Sequence, residues 1–261
     1  MKHISILKSI LSICSLLIVS LALGQNKSIK VTYFYPKDSL KFNQQFDAIK
    51  FNHGVTSNGK TTMIVHCESA FGVFDFIFKK EIFKLSRILD YEDTSVSEEF
   101  DFKTKEWKLS DFSNPYPKTN TKVVDSTTFS EHNLYALIVA HDHGEIIQKS
   151  KFQDFGNEVY WPEFDYPNCL ISDENKDGIP EFYLSYLGKS DGLDAKPYKQ
   201  IVYNFKKKTL EKSKATSYYP SGNEEDNYSI EYDENWKKLP ISIRKKSQKL
   251  IKDHKLRHET N

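Results

Sequence analysis

Beyond residue 24 the chain switches between apolar and polar side chains at a period of two far more often than at 3.6, the mark of strands with one buried face. Ile29, Val31, Tyr33 and Tyr35 alternate with Lys30, Thr32 and Phe34. Segments 46–51 and 61–67 read as strands flanking a loop with Asn58-Gly59, both tolerant of positive φ and hence a hairpin signal. Segment 72–78 places Val73, Asp75 and Ile77 on one face and Phe74, Phe76 and Phe78 on the other. Segments 134–140 and 145–152 form another hairpin, closed at Asp142-His143-Gly144, and 159–161, 169–172, 181–187, 198–205 and 228–232 complete the set. Strands in this number with short polar turns predict a mainly β fold of antiparallel sheets, sandwich-like or meander-like. A C-terminal helix is predicted from Pro240 through Ile243, Leu250 and Ile251 to Leu256, with Lys and Arg crowding its last turns as the helix dipole favours. Its basic face reads as solvated, with a narrow apolar stripe on the sheet; docking on anionic lipid or polyanions is the other reading of such a helix. Segment 91–122 turns polar and acidic and collects Asn114-Pro115 and Tyr116-Pro117, predicting a long loop or a boundary between units 25–113 and 114–261. The two units either stand apart or close into one domain.

The first 24 residues differ in kind. Lys2 and Lys8 accompany an apolar run from Leu11 to Leu23, and Ala22 and Gly24 supply small residues at −3 and −1 of a cleavage site. This is the pattern of a secretory signal peptide over 1–24, and export to the periplasm, cell surface or medium follows. An uncleaved anchor fits less well, because Ser9, Ser12, Ser15 and Ser20 interrupt a run already short for a ~30 Å hydrocarbon core. No later stretch approaches that length, so the mature chain is expected to lack a transmembrane segment. Cys67 and Cys169 survive cleavage, leaving open a disulfide of the oxidising compartment or two buried thiols.

Composition narrows the partners. With 37 Lys+Arg against 36 Asp+Glu there is no overall basic excess to offset phosphate charge, which removes the main argument for a nucleic-acid binder, and none is expected as a partner. Aromatic residues at 14% give enough large apolar surface to exclude a disordered chain.

The most specific chemistry is Asp173-Glu174-Asn175-Lys176-Asp177-Gly178-Ile179-Pro180-Glu181. Oxygen-bearing residues at positions 1, 3 and 5, Gly at 6 and an acid at 9 suit calcium, which takes six to eight oxygens at about 2.3–2.6 Å from a tightly curled loop. Asp173, Asn175 and Asp177 would give side-chain oxygens, Ile179 its carbonyl, and Glu181 a carboxylate. A complete EF-hand is excluded, because Leu184 stands at position 12 and both flanks read as strands. A metal-free Asx turn is the simpler alternative. The strand–loop–strand pattern is locally similar to the calcium loops of FG-GAP and integrin-type propeller repeats. With Ser190-Asp191-Gly192-Leu193-Asp194, Lys199-Gln200-Ile201-Val202-Tyr203 and Lys214-Ala215-Thr216, segment 166–220 resembles a family of exported Gram-negative bacterial proteins labelled surface-polysaccharide biosynthesis protein. That resemblance implies an exported β protein linked to the cell surface; Pro180 and Phe182-Tyr183-Leu184 depart from the family's usual strand, and no catalytic residues carry across.

Other constellations are weaker. His141-Asp142-His143 straddles a turn and reads as a hairpin tip rather than a ligand pair. Asp191, Asp194 and Glu224-Glu225-Asp226 are acids of the kind a carboxylate-dependent hydrolase pairs, though solvated acidic loops are commoner. Trp161 with Tyr160 and Phe164 would suit sugar stacking or a sheet core equally. The reading that fits best is an exported, non-enzymatic envelope protein with a calcium loop, binding a glycan or an envelope protein. An accessory factor in surface-polysaccharide assembly or export is the alternative, and a hydrolase a second. Exported material is predicted to begin at Gln25. Intact-mass measurement checks this, and retention of residues 1–24 would replace the signal peptide with an anchor.

Overall fold

The structure is a computed structural model and describes residues 28–117, 121–190, 195–220 and 227–259. The signal segment, Asp191, Asp194 and Glu224-Glu225-Asp226 lie outside these residues.

Alternation along one long strand, β3 (Gly72–Asp90), organises the first sheet. On one side it pairs antiparallel with β6 (Asp125–Asp142) over almost its whole length, from Val73↔His141 to Asp90↔Asp125. On the other side β2 (Lys60–Ser69) takes its first half and β4 (Ser95–Asp101) its second. β1 (Lys30–Phe34) adds to β2, β5 (Glu106–Leu109) to β4, and β7 (Glu145–Gly156) to β6. The second sheet runs β13 (Ser229–Tyr232), β12 (Thr209–Tyr219), β11 (Lys196–Lys206), β10 (Glu181–Ser190). The far edge of β10 is shared by β9 (Leu170–Ser172) at its start and β8 (Tyr160–Phe164) at its end. The fold is therefore mainly β, two antiparallel sheets packed face to face. The change of sheet falls between β7 and β8, so segments 25–113 and 114–261 share the first sheet.

Between the sheets Phe74, Phe76 and Phe78 meet Phe164, Phe182, Leu184 and Tyr186. Phe182 lies edge-on to Phe74 and Phe76, with centroids at 5.7 and 5.8 Å, an arrangement the ring quadrupoles favour. Cys67 and Cys169 share this core as free thiols. Burial pushes the Cys67 thiol up to about 12 and that of Cys169 up as well, so neither is a thiolate at neutral pH. Of the two readings left open by the sequence, buried thiols are the one observed.

Each sheet's outer face is covered by a helix. The second sheet is covered by the short α3 (Glu234–Lys237) and by α4 (Ile241–Glu259), the predicted C-terminal helix, which buries Ile243, Leu250 and Ile251 against Tyr183, Tyr198 and Val202. The first is covered by α1 (Ser39–Ile49) and the single turn α2 (His53–Thr56). Here the structure corrects the reading of 46–51 as a strand. Phe42, Phe46 and Ile49 are spaced four and three apart, a helical stripe that packs on Ile64, Ile77, Leu137 and Val139. Phe51, past the helix end, is left 83% exposed. Lys79 is buried on this face and donates to the carbonyls of Val55 and Ser57, closing α2; burial lowers it to about 8. Segment 91–122 is likewise not one loop, since the β4–β5 hairpin lies inside it. Asn58 and Gly59 take φ of 63° and 77° but join α2 to β2 and close no hairpin, because the strand expected before them is helical; the hairpin at 142–144 is observed, with His143 and Gly144 at 49° and 89°.

Phe182 is fully buried where the sheets meet, and Phe155 is 63% exposed. Phe182→Ala is predicted to cost about 3–5 kcal/mol in denaturant unfolding, and Phe155→Ala within about 0.5. Equal, small losses would show that the two sheets do not share this core.

Candidate functional site

The 173–181 loop joins β9 to β10, so one strand delivers Asp173 and the next begins at Glu181. Its curl is made by its own side chains. Asp173 accepts from the amides of Asp177 (3.0 Å) and Gly178 (2.9 Å), Asn175 Oδ1 from the amide of Asp177 (3.2 Å), and Asp177 Oδ1 from the amide of Ile179 (2.8 Å). Lys176 and Gly178 sit at φ 60° and 81°, the left-handed conformation that tightens the turn. Asn175 and Asp177 are exposed, Asp173 and Ile179 half-buried.

Glu181 stands apart. It is 2% exposed, and its Oε2 accepts the amide of Glu174 at 2.9 Å. Among the described residues no cation pairs with it. Burial, reinforced by the charges of Asp173, Asp177 and Glu174, raises its carboxyl from 4.5 to about 8, against the lowering effect of that amide. Every donor of the set is a hard oxygen, the type calcium takes and zinc does not prefer. The loop carboxylates do not gather as closely as the ligand atoms of the cluster described below, which all lie within 4.8 Å of one another.

The same loop anchors α4. Glu174 pairs with Lys246 at 3.2 Å. Nearer the helix C-terminus, Arg257 donates to both oxygens of Asp165, at 2.7 and 3.0 Å. Asp165 also accepts from Tyr198 Oη and Asn168 Nδ2, while Asn168 Nδ2 reaches the Leu250 carbonyl at 2.9 Å. Burial pushes Asp165 upward despite these donors. Between this part of α4 and the ends of β8 and β10 lies a groove of about 680 Å³, lined among others by Trp161, Glu163, Lys189 and His258. Of the three aromatics singled out in the sequence, Trp161 lines the groove, Phe164 lines it while packing into the inter-sheet core, and Tyr160 makes a hydrogen bond to Asp154 at 3.3 Å.

A second cluster escaped the sequence reading. On the outer face of the first sheet, beside α1, His66 Nδ1 lies 2.9 Å from Asp75 Oδ1, and His141 Nε2 lies 2.6 Å from Asp75 Oδ2. Gln45 of α1 donates to Asp75 Oδ1 at 2.8 Å. The Asp75 side chain is fully buried, while those of His66 and His141 are 15% and 28% exposed. Burial opposes ionisation of Asp75, but the hydrogen bonds of His141 and His66 hold it below the ordinary carboxylate range. The bond to Asp75 raises His66 in turn. The 141–143 segment thus ends as the predicted hairpin tip, with His143 exposed, yet its first histidine is drawn to a partner on another strand. The signal for this was the alternation itself, which set Asp75 opposite the Phe face. Comparison with protein-family models, with curated proteins and with solved structures finds no match to this chain.

Proposed function

We propose that this chain is an exported, non-catalytic β protein of the cell envelope whose 173–181 loop binds calcium and so fixes the helix-lined groove in which a glycan is held. The observation that carries the calcium reading is Glu181, a buried carboxyl with a single amide as its donor and the charges of Asp173, Asp177 and Glu174 in its neighbourhood. A divalent cation would offset the cost of burying that carboxylate, which the single amide of Glu174 meets only in part. Asp173, Asn175, Asp177 and Glu181 would supply side-chain oxygens and Ile179 its carbonyl. The left-handed residues Lys176 and Gly178 already curl the loop.

The groove supports binding over hydrolysis. Its acids are already committed, Asp165 to Arg257 and Glu163 to Lys189 at 2.5 Å, while the Trp161 indole offers the flat apolar surface on which a sugar ring stacks. Because Glu174 holds Lys246 of α4, order in the loop is passed to the helix that forms one wall. The residues 1–24 pattern supports export, and the resemblance over 166–220 supports a surface glycan as the ligand class and keeps a role in polysaccharide assembly as the alternative.

At ~1 mM, calcium should stabilise the protein by about 0.4–1.4 kcal/mol, a rise of roughly 1–5 °C in melting temperature. Magnesium should do less, and Asp177→Ala should abolish the response. No calcium effect in the wild type would leave a metal-free turn. Binding of the purified surface polysaccharide, followed by calorimetry, should weaken in Trp161→Ala; unchanged binding would move the glycan elsewhere. The sign of the pH dependence follows from Glu181. A carboxyl raised from 4.5 to about 8 contributes stability that is complete below about 4.5 and lost as the pH climbs through about 8. In calcium-free buffer Glu181→Gln is therefore predicted to melt above the wild type at pH 8, with the gap closing toward pH 4.5. A variant that melts below the wild type at both pH values would show that Glu181 is not destabilised as an anion.

A further inference from the structure

The His66–Asp75–His141 cluster lies in the other sheet and owes nothing to the calcium loop. We propose that it is a second metal site, in which His66 Nδ1, a carboxylate oxygen of Asp75 and His141 Nε2 bind one divalent transition-metal ion of zinc's class.

Placement comes first. β2, β3 and β6 are adjacent in the sheet, with His66 opposite Asp75 and Val73 opposite His141, so three neighbouring strands each contribute one ligand to one spot. The atoms offered all lie within 4.8 Å of one another. Ligands about 2.0–2.2 Å from a tetrahedral zinc sit roughly 3.3–3.6 Å apart, so small rotations of the two rings suffice. Around the cluster this face is apolar, with Ile64, Ile77, Leu137 and Val139 under α1, and burying a carboxylate beside them is costly unless it is paired.

The surroundings are those a bound ion needs. Gln45 Nε2 donates to Asp75 Oδ1 at 2.8 Å and fixes the carboxylate; it also lies 3.2 Å from His66 Nδ1, a contact the ion would replace. Glu68 Oε1 lies 3.7 Å from His66 Nε2, the nitrogen that would face away from the metal, so the carboxylate can orient the ring and raise its basicity as a ligand. The rings meet edge to face at 6.1 Å and are partly exposed, which gives an ion a way in. Two imidazoles and a carboxylate leave one position open to solvent, and imidazole selects zinc, cobalt or similar ions over calcium and magnesium. The ion replaces the ring protons now shared with Asp75. A charged histidine releases its proton to solvent, and each neutral ring keeps one on its outward nitrogen.

The test uses the full chain after export, freed of metal with a chelator. Titration with zinc chloride should show one tight equivalent, and cobalt chloride should give the visible ligand-field bands of a low-coordinate nitrogen–oxygen site. His66→Gln and His141→Gln should each weaken zinc by more than about 100-fold, beyond what loss of a supporting group costs, and erase the cobalt bands. Asp177→Ala in the other sheet should change neither, which separates this site from the calcium reading. In the wild type the ring nitrogen resonances of His66 and His141 should shift together over one equivalent of zinc, a readout that depends on no variant's folding. Absence of a tight equivalent in the wild type, or zinc binding that leaves both rings unshifted, would make the cluster a hydrogen-bonded network only and overturn the proposal.

Discussion

The pairing of β3 with β6, seventeen residue pairs of antiparallel ladder broken by one bulge between Ile82 and Lys84, fixes everything else in this protein through the sorting of β3's two faces. Even positions from Phe74 to Phe78 point between the sheets, and Asp75, Ile77 and Lys79 point to α1 and α2. A slip of one residue would drive a carboxylate and an ammonium into the aromatic core and put three phenylalanines on the outside. Each buried Phe is worth about 1.5–3 kcal/mol relative to exposure, so the register is held by several such terms at once. The polar residues of the outer face then need partners there, and they have them: Lys79 in the carbonyls of α2, Asp75 in two histidines and Gln45.

β10 repeats the logic in the second sheet. Phe182, Leu184 and Tyr186 face the core, while Glu181 and Tyr183 face α4. That phase is why the acid ending the loop is buried instead of solvated, and why the loop lies within reach of Lys246. Asp165, on the other side of β9, holds the same helix through Arg257. The helix is thus tied at two points by acids flanking one short strand, and the groove is the space between its C-terminal part and the sheet edge.

Much of this was legible in the residues. Period-two runs located the inner-face strands, and Asn58-Gly59 and His143-Gly144 located left-handed turns, because both signals are local. The oxygen spacing of the 173–181 loop was legible for the same reason. α1 was not, since Phe42, Phe46 and Ile49 become a stripe only once the aliphatic outer face of the sheet is there to be covered. The β4–β5 hairpin hid in a polar segment because only part of it is buried: Val96 and Glu98 are, while Trp107 is half-exposed. The His66–Asp75–His141 cluster is the instructive omission. The Ser69↔Gly72 hairpin already places His66 against Asp75, but His141 joins them only through the long-range choice of β6 as the neighbour of β3. No spacing within one segment encodes that choice.

Hydrogen–deuterium exchange on the full chain, with and without calcium, tests most directly whether the loop governs the helix and groove. Calcium should slow exchange through residues 173–181, at the start of β10, and along the Lys246 turn of α4, while leaving the β3–β6 ladder unchanged. Identical exchange in the two conditions at the loop and at α4 would contradict it.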